Sequence, residues 1–186
     1  IMQNLSTKFL LTSLLLISPI CNPSSASEAP TVVKIINQSE PGSGFFIKVD
    51  GKTYLLTSKH VLGATGEVVT AQLLSGLKIK IPIENQFPMA NSDVAVMNIT
   101  NPSKELIPFS IRSQPNLNIG EQMTVWGYPV STSDQTAKLH KRSGAYKGSP
   151  IKIEDGYSIL YGASTQKGFS GGPLLDGQGL VVGIHG

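Results

Sequence analysis

The chain has a single cysteine, Cys21, in 186 residues. Cys21 lies in the first 26 residues, so a chain processed after Ala26 has no cysteine, no disulfide and no thiolate ligand. Ile20 stands before it, where a lipoprotein signal would place a small residue, which argues against a lipid anchor. Charge is scarce as well. Charged residues make up 15% and the formal net charge is +3, which gives no electrostatic footprint for nucleic acid or a membrane surface. Three histidines without a mature cysteine form no metal cluster, and no cofactor is expected.

Long apolar runs are missing too. Phe9 to Ile20 is apolar but broken by small polar residues and a proline, and it is too short to span a bilayer. Lys8 precedes it, and Ser24 and Ala26 put small residues at −3 and −1 of a cut after Ala26. Residues 1–26 therefore read as a secretory signal peptide, with no stable membrane insertion after its removal. The expected location is secreted or periplasmic. A disulfide-free exported chain fits a bacterial envelope or extracellular setting.

Sustained helical periodicity is also absent. Strand-like segments take its place, with 19 Gly and 12 Pro punctuating them. VVKII (32–36), FFIKV (45–49) and TYLLTS (53–58) come first, the last two joined by the hairpin signal Asp50-Gly51, with Pro41 to Gly44 read as a turn. EVVTAQLL (67–74), LKIKIPI (77–83) and DVAVMNI (93–99) follow. Residues 101–121 are polar and carry three prolines, and read as a linker. MTVWGYP (123–129), KLHKRSGAYKG (138–148), YSILYG (157–162), PLL (173–175) and LVVGIHG (180–186) complete a second half. Two all-β halves joined by a linker imply two packed barrels or sandwiches. The expected boundaries are 27–105 for the first and 106–186 for the second.

Three segments carry chemistry. TSKHV places His60 at the end of a strand, SDVAV places Asp93 at the start of one, and GFSGGP surrounds Ser170 with glycines. A serine hydroxyl is a weak nucleophile at neutral pH and needs an adjacent base. A histidine supplies that base, and a carboxylate holds its tautomer and stabilises its cation. Glycines let backbone N–H groups turn into one small hole for a developing oxyanion. Gly168 and Ser170 would supply those donors. Gly-x-Ser-x-Gly also fits the nucleophile elbow of α/β-hydrolases, but Pro173 and Asp176-Gly177 stop a following helix and no βαβ alternation exists. Asp134, Glu154 and Asp155 lie in polar, turn-like segments and read as surface residues. The basic run around His140 reads as a solvated hairpin and not a nucleic-acid patch.

The order His60, Asp93, Ser170, with the motifs TSKHV, SDVAV and GFSGGP, resembles the chymotrypsin-like serine peptidases over roughly residues 31–186. The resemblance implies two antiparallel β-barrels with the site in the cleft between them, His60 and Asp93 on the first and Ser170 on the second. It also implies a serine endopeptidase that cleaves protein or peptide substrates through an acyl-enzyme. Phe169 stands where vertebrate members carry an activation-linked Asp, so the bacterial members are the better comparison, glutamyl endopeptidases among them. Those carry a Thr five residues before the Ser and a His in a Gly-Ile-His motif, both holding a P1 carboxylate. Thr165 and His185 match these positions, and Ser164 falls at the pocket-base position, where no acidic residue favours Lys or Arg. The family continues past the Gly-Ile-His strand with another that closes the pocket. The sequence given ends at Gly186, so the expected second barrel is incomplete at its C-terminus. A catalytically silent peptide-binding protein on the same fold is the alternative.

Overall fold

The computed structural model describes residues 29–36, 41–63, 68–87, 89–113, 116–130, 138–150 and 154–186. The expected signal peptide, Cys21 and Asp134 lie outside these segments. Alternating buried positions mark β-strands 53–57, 68–72, 94–99 and 122–127. A seven-stranded antiparallel sheet is built from β1 (Val32–Ile36), β2 (Gly42–Val49), β3 (Lys52–Ser58), β4 (Val68–Gln72), β5 (Lys78–Pro82), β6 (Gln86–Phe87) and β7 (Val94–Ile99), in the order β5-β4-β1-β2-β3-β7-β6. A five-stranded antiparallel sheet contains β8 (Gln122–Gly127), β9 (His140–Gly148), β10 (Leu160–Tyr161), β11 (Pro173–Leu175) and β12 (Val181–Ile184), in the order β10-β9-β8-β11-β12. A single helical turn, α1 (Lys59–Leu62), follows β3 directly. The expected all-β architecture is met by two curled antiparallel sheets of the chymotrypsin-like kind.

Asp50-Gly51 forms the two-residue hairpin loop, with Val49 paired to Lys52 and both loop residues at positive φ, 49° and 77°. That is the conformation whose twist matches the flanking strands.

Strand β2 explains how the sheets meet. Its first six residues are all buried, because its two faces serve two cores. Phe46 points into the first sheet's interior with Val33, Ile35, Leu55 and Met97. Phe45 and Ile47 point the other way, toward Phe109, Tyr128, Leu175 and Val181 of the second half. Each fully buried Phe contributes about 1.5–3 kcal/mol of transfer free energy. A third cluster, Met123, Val125, Phe169 and Leu174, fills the second sheet.

Two expectations need correction. Pro41 to Gly44 is not a turn: β2 already begins at Gly42. The glycine serves close approach, since a Cβ there would lie 2.6 Å from both methyls of Val61 and 2.9 Å from the Ser170 carbonyl oxygen. Residues 101–121 are more than a linker. Phe109 is 3% exposed, its N–H donates to the Phe46 carbonyl at 2.7 Å, and its ring meets Phe45 and Trp126 edge-on. Ile111 bridges to Val181. The segment is a strap sealing the seam between the sheets, and its polar, proline-rich composition hid two buried apolar anchors, Leu106 in the first core and Phe109 in the second.

Candidate active site

His60 sits in α1, the turn that ends β3. Buried Val61 and Leu62 anchor that turn, leaving His60 free to face the seam. Asp93 lies just before β7, which pairs with β3 from Ser58↔Val94 onward, so the register brings the two residues together. The contact is extensive. The His60 N–H donates to Asp93 Oδ1 at 2.9 Å, and His60 Nδ1 lies 2.6 Å from Asp93 Oδ2. The Lys59 N–H donates to the Asp93 carbonyl at 2.9 Å. The Asp93 side chain is 13% exposed and that of His60 39%, so the carboxylate is shielded while the imidazole stays accessible.

A third donor was not foreseen. The Tyr157 hydroxyl donates to Asp93 Oδ2 at 2.5 Å. Burial raises the Asp93 pKa, but the bonds from Tyr157 and His60 outweigh it and hold the carboxyl below its ordinary value. Tyr157 is itself pushed well above its ordinary value, by desolvation first and then by the Asp93 charge. Nothing local in the sequence marks Tyr157. Asp155-Gly156 signals only a turn, yet the Asp155 carbonyl accepts from the Asp93 N–H at 2.7 Å.

Ser170 lies in the glycine-rich loop before β11. Gly171 is why glycine is needed there: its φ is +85°, and a Cβ would sit 2.1 Å from the Ser43 oxygen and 3.0 Å from the Ser58 N. The loop thus packs directly on the strand end that leads into His60. Fully buried Ser43 pins it further. Its N–H donates to the Ser170 carbonyl at 2.7 Å, its hydroxyl donates to the Gly168 carbonyl at 2.6 Å, and the same hydroxyl accepts from the Tyr128 N–H at 2.8 Å. Phe169, Gly171 and Gly172 each spend their N–H on a main-chain carbonyl. The N–H groups of Gly168 and Ser170 have no acceptor among the described residues. Phe169 is fully buried in the second core and acts as the loop's hydrophobic root.

A cavity of about 620 Å³ opens beside these residues, lined by Asp93, Tyr157, Tyr161, Thr165 and His185 among others. Of the three residues expected at the pocket, the structure brings Thr165 and His185 together there. Ser164 is exposed and outside the lining, because burial alternates along 162–166 and turns Ser164 away from Ala163 and Thr165. His185 Nδ1 lies 2.7 Å from the Tyr161 hydroxyl, another partner the sequence did not signal. Burial, and then the nearby His60, lower the His185 pKa, favouring neutral imidazole. The His185 carbonyl accepts from Gly171 N–H at 2.6 Å and the Ser58 hydroxyl at 3.0 Å, tying the pocket to the loop and to β3. Among the described residues no three His, Cys, Asp or Glu stand together as metal ligands.

Away from the site, Lys141 lies over the Trp126 ring, 3.6 Å from its centroid, so that cation of the basic run is spent on packing. Glu154 and Asp155 are exposed, as expected of turn residues.

Two curled sheets meeting at a His60–Asp93 pair and a pinned Ser170 loop define a class, the chymotrypsin-like serine peptidases. A family model described as a trypsin-like peptidase domain matches residues 42–184. The chain belongs to the trypsin-like peptidase family. A Brucella suis biovar 1 (strain 1330) protein named a probable periplasmic serine endoprotease DegP-like is 29% identical over 147 residues, covering 77% of this chain and 27% of its own length. The glutamyl endopeptidase of Staphylococcus epidermidis is 29% identical over 163 residues, covering 77% of this chain and 53% of its own. The crystal structure of the serine endoprotease from Yersinia pestis superposes with a TM-score of 0.65 at 25% identity, covering 84% of this chain and 53% of that one. The chain thus spans about a quarter to a half of the length of these relatives. Among the described residues no helix is long and apolar enough to cross a membrane.

Proposed function

We propose that the chain is an exported serine endopeptidase in which Ser170 attacks the scissile carbonyl, His60 is the general base and Asp93 orients His60. The observation that carries this reading is the double hold of Asp93 on His60, through N–H and Nδ1, next to a Ser170 loop pinned to the same strand end. Asp93 keeps the Nδ1 proton in place, so Nε2 is the nitrogen that accepts the Ser170 proton. The Ser170 oxygen then bonds to the substrate carbonyl carbon, and the resulting oxyanion takes the unclaimed N–H groups of Gly168 and Ser170. His60 returns the proton to the leaving amine, the C–N bond breaks, and an acyl-Ser170 ester remains. Water hydrolyses that ester with His60 again as base. The division into 27–105 and 106–186 assigns the base and its orienter to one unit and the nucleophile to the other.

For specificity, the reading is an acidic P1 residue held by Thr165 and His185. A Tyr161 hydroxyl donating to Nδ1 puts the imidazole proton on Nε2, so a neutral His185 still presents a donor to the cavity. Ser164 adds nothing to this hold. Export rests on residues 1–26 and agrees with the relative named as periplasmic.

The test is turnover of a peptide ester with trapping of the intermediate. Mass spectrometry of a quenched reaction should find an acyl group on Ser170, and His60→Ala should abolish its formation. Hydrolysis without a detectable acyl-Ser170 in the pre-steady state contradicts the mechanism. A catalytically silent peptide-binding domain is the second reading, favoured by one observation: no hydrogen bond joins the Ser170 hydroxyl to His60 among the described residues. Catalytic contacts often tighten only on substrate binding. Saturable peptide binding without any acylation would select that reading.

A further inference from the structure

The Asp93 carboxylate accepts three hydrogen bonds, and one comes from the other half of the chain. Oδ1 takes the His60 N–H, while Oδ2 takes both His60 Nδ1 and the Tyr157 hydroxyl. Tyr157 lies between β9 and β10, and 64 positions separate it from Asp93. Its placement is not incidental. The Asp155 carbonyl accepts the Asp93 N–H at 2.7 Å, and Gly156, at φ +82°, packs so closely on Ser92 that a Cβ would lie 3.1 Å from the Ser92 Cβ. The turn 155–157 therefore grips the Ser92–Asp93 corner with main chain on one side and a side-chain hydroxyl on the other. The hydroxyl end of the Tyr157 ring also packs against Gly186, where an added Cβ would be 2.2 Å from Cε1 and 2.6 Å from the hydroxyl oxygen. The ring is 42% exposed, yet its hydroxyl end is spent on the carboxylate.

A carboxylate with one ring donor and one main-chain donor can still rock about its Cβ–Cγ bond. A second donor on Oδ2 removes that freedom and fixes the direction in which Oδ2 faces Nδ1. We propose that Tyr157 is a positioning residue: its hydroxyl holds the Asp93 carboxylate so that it presents Oδ2 to His60, making the reactivity of a pair carried by the first sheet depend on a turn of the second. The inference rests on the proposed triad. Three titratable groups face this corner: His60 from α1, Tyr157 and Asp155 from the turn, with Asp155 adding its negative charge against Tyr157 ionisation. His185, at the end of β12, is near enough for His60 to help lower its pKa. Lys59 is directed to the Met89 carbonyl.

The test is the pH dependence of inactivation by a fluorophosphonate probe, which reports the free enzyme's base. Tyr157→Phe keeps the ring and removes only the hydroxyl. It should slow inactivation about tenfold, the scale of one hydrogen bond to a charged group. It should also raise the acid-limb pKa, because an Asp93 charge no longer shared with Tyr157 stabilises the His60 cation more. In an Asp93→Asn background the same substitution should change the rate less than about threefold, since it acts through Asp93. A fluorotyrosine at 157, a stronger donor of the same shape, should move the acid limb the opposite way and covers the case of a Phe variant that does not fold. An unchanged rate and limb in these variants overturns the inference while wild-type labelling leaves the triad standing. A tenfold loss that persists in Asp93→Asn, or that comes without a pH shift, also overturns it. Failure of folded wild type to react overturns the triad and the inference together.

Discussion

The main-chain N–H of Ser43 donates to the Ser170 carbonyl at 2.7 Å, across the seam between the two sheets. The proposed nucleophile is thus held by the first sheet although it belongs to the second. The Ser43 hydroxyl extends that hold to Gly168 and Tyr128. Ser43→Ala keeps the N–H but strips the Gly168 carbonyl and the Tyr128 N–H of their buried partner. The expected cost is about 2–4 kcal/mol of stability. A urea titration checks it, and a loss below about 1 kcal/mol would mean that water replaces the hydroxyl.

Asp93→Asn should leave the fold intact and lower turnover by about 10⁴, because the amide cannot hold the imidazole in the required tautomer. Circular dichroism with peptide kinetics separates the two effects. Unchanged activity would remove Asp93 from the proposed triad.

Two groups make stability depend on pH with the same sign. Asp93 is held below its ordinary 3.8, and His185 below its ordinary 6.5. In each case the folded chain binds fewer protons than the unfolded one, so stability rises with pH. The His185 contribution is complete above pH 6.5 and is lost as pH falls through its lower folded value. The Asp93 contribution is complete above pH 3.8 and is lost below that in the same way. Urea midpoints should decline on acidification through the upper window, and His185→Gln should flatten that decline. A wild-type midpoint that rises on acidification there contradicts the assignment.

Specificity is tested with matched peptides carrying Glu, Lys, Phe or Ala at P1. Glu is the expected preference, and His185→Gln or Thr165→Val should erase it with little effect on the other peptides. A preference for Phe or Lys, or a Glu preference that survives both substitutions, removes the carboxylate from the account.

The elements that the sequence made legible are the ones written in local pattern. The β2–β3 hairpin is announced by Asp50-Gly51, and the seam loop by the glycines around Ser170. The pairing of His60 with Asp93 was readable because each residue flanks a clear strand. What stayed hidden depends on contacts between distant segments. Gly42 and Ser43 look like a turn in sequence, but their backbone is drawn into a strand by Val61 and the Ser170 loop. Tyr157 and Tyr161 sit in a short polar-apolar stretch with no periodicity to reveal that their hydroxyls reach Asp93 and His185, 64 and 24 positions away. Phe109 and Leu106 are two buried side chains in a strap rich in polar residues and proline.

The central claim is that Ser170 is an activated nucleophile, and the most direct measurement is covalent labelling of the folded chain by a fluorophosphonate, with the modified residue located by mass spectrometry. A single adduct on Ser170 is expected, absent in Ser170→Ala and formed much more slowly in His60→Ala. A folded wild-type chain that takes no label, or takes it on another residue, would contradict it.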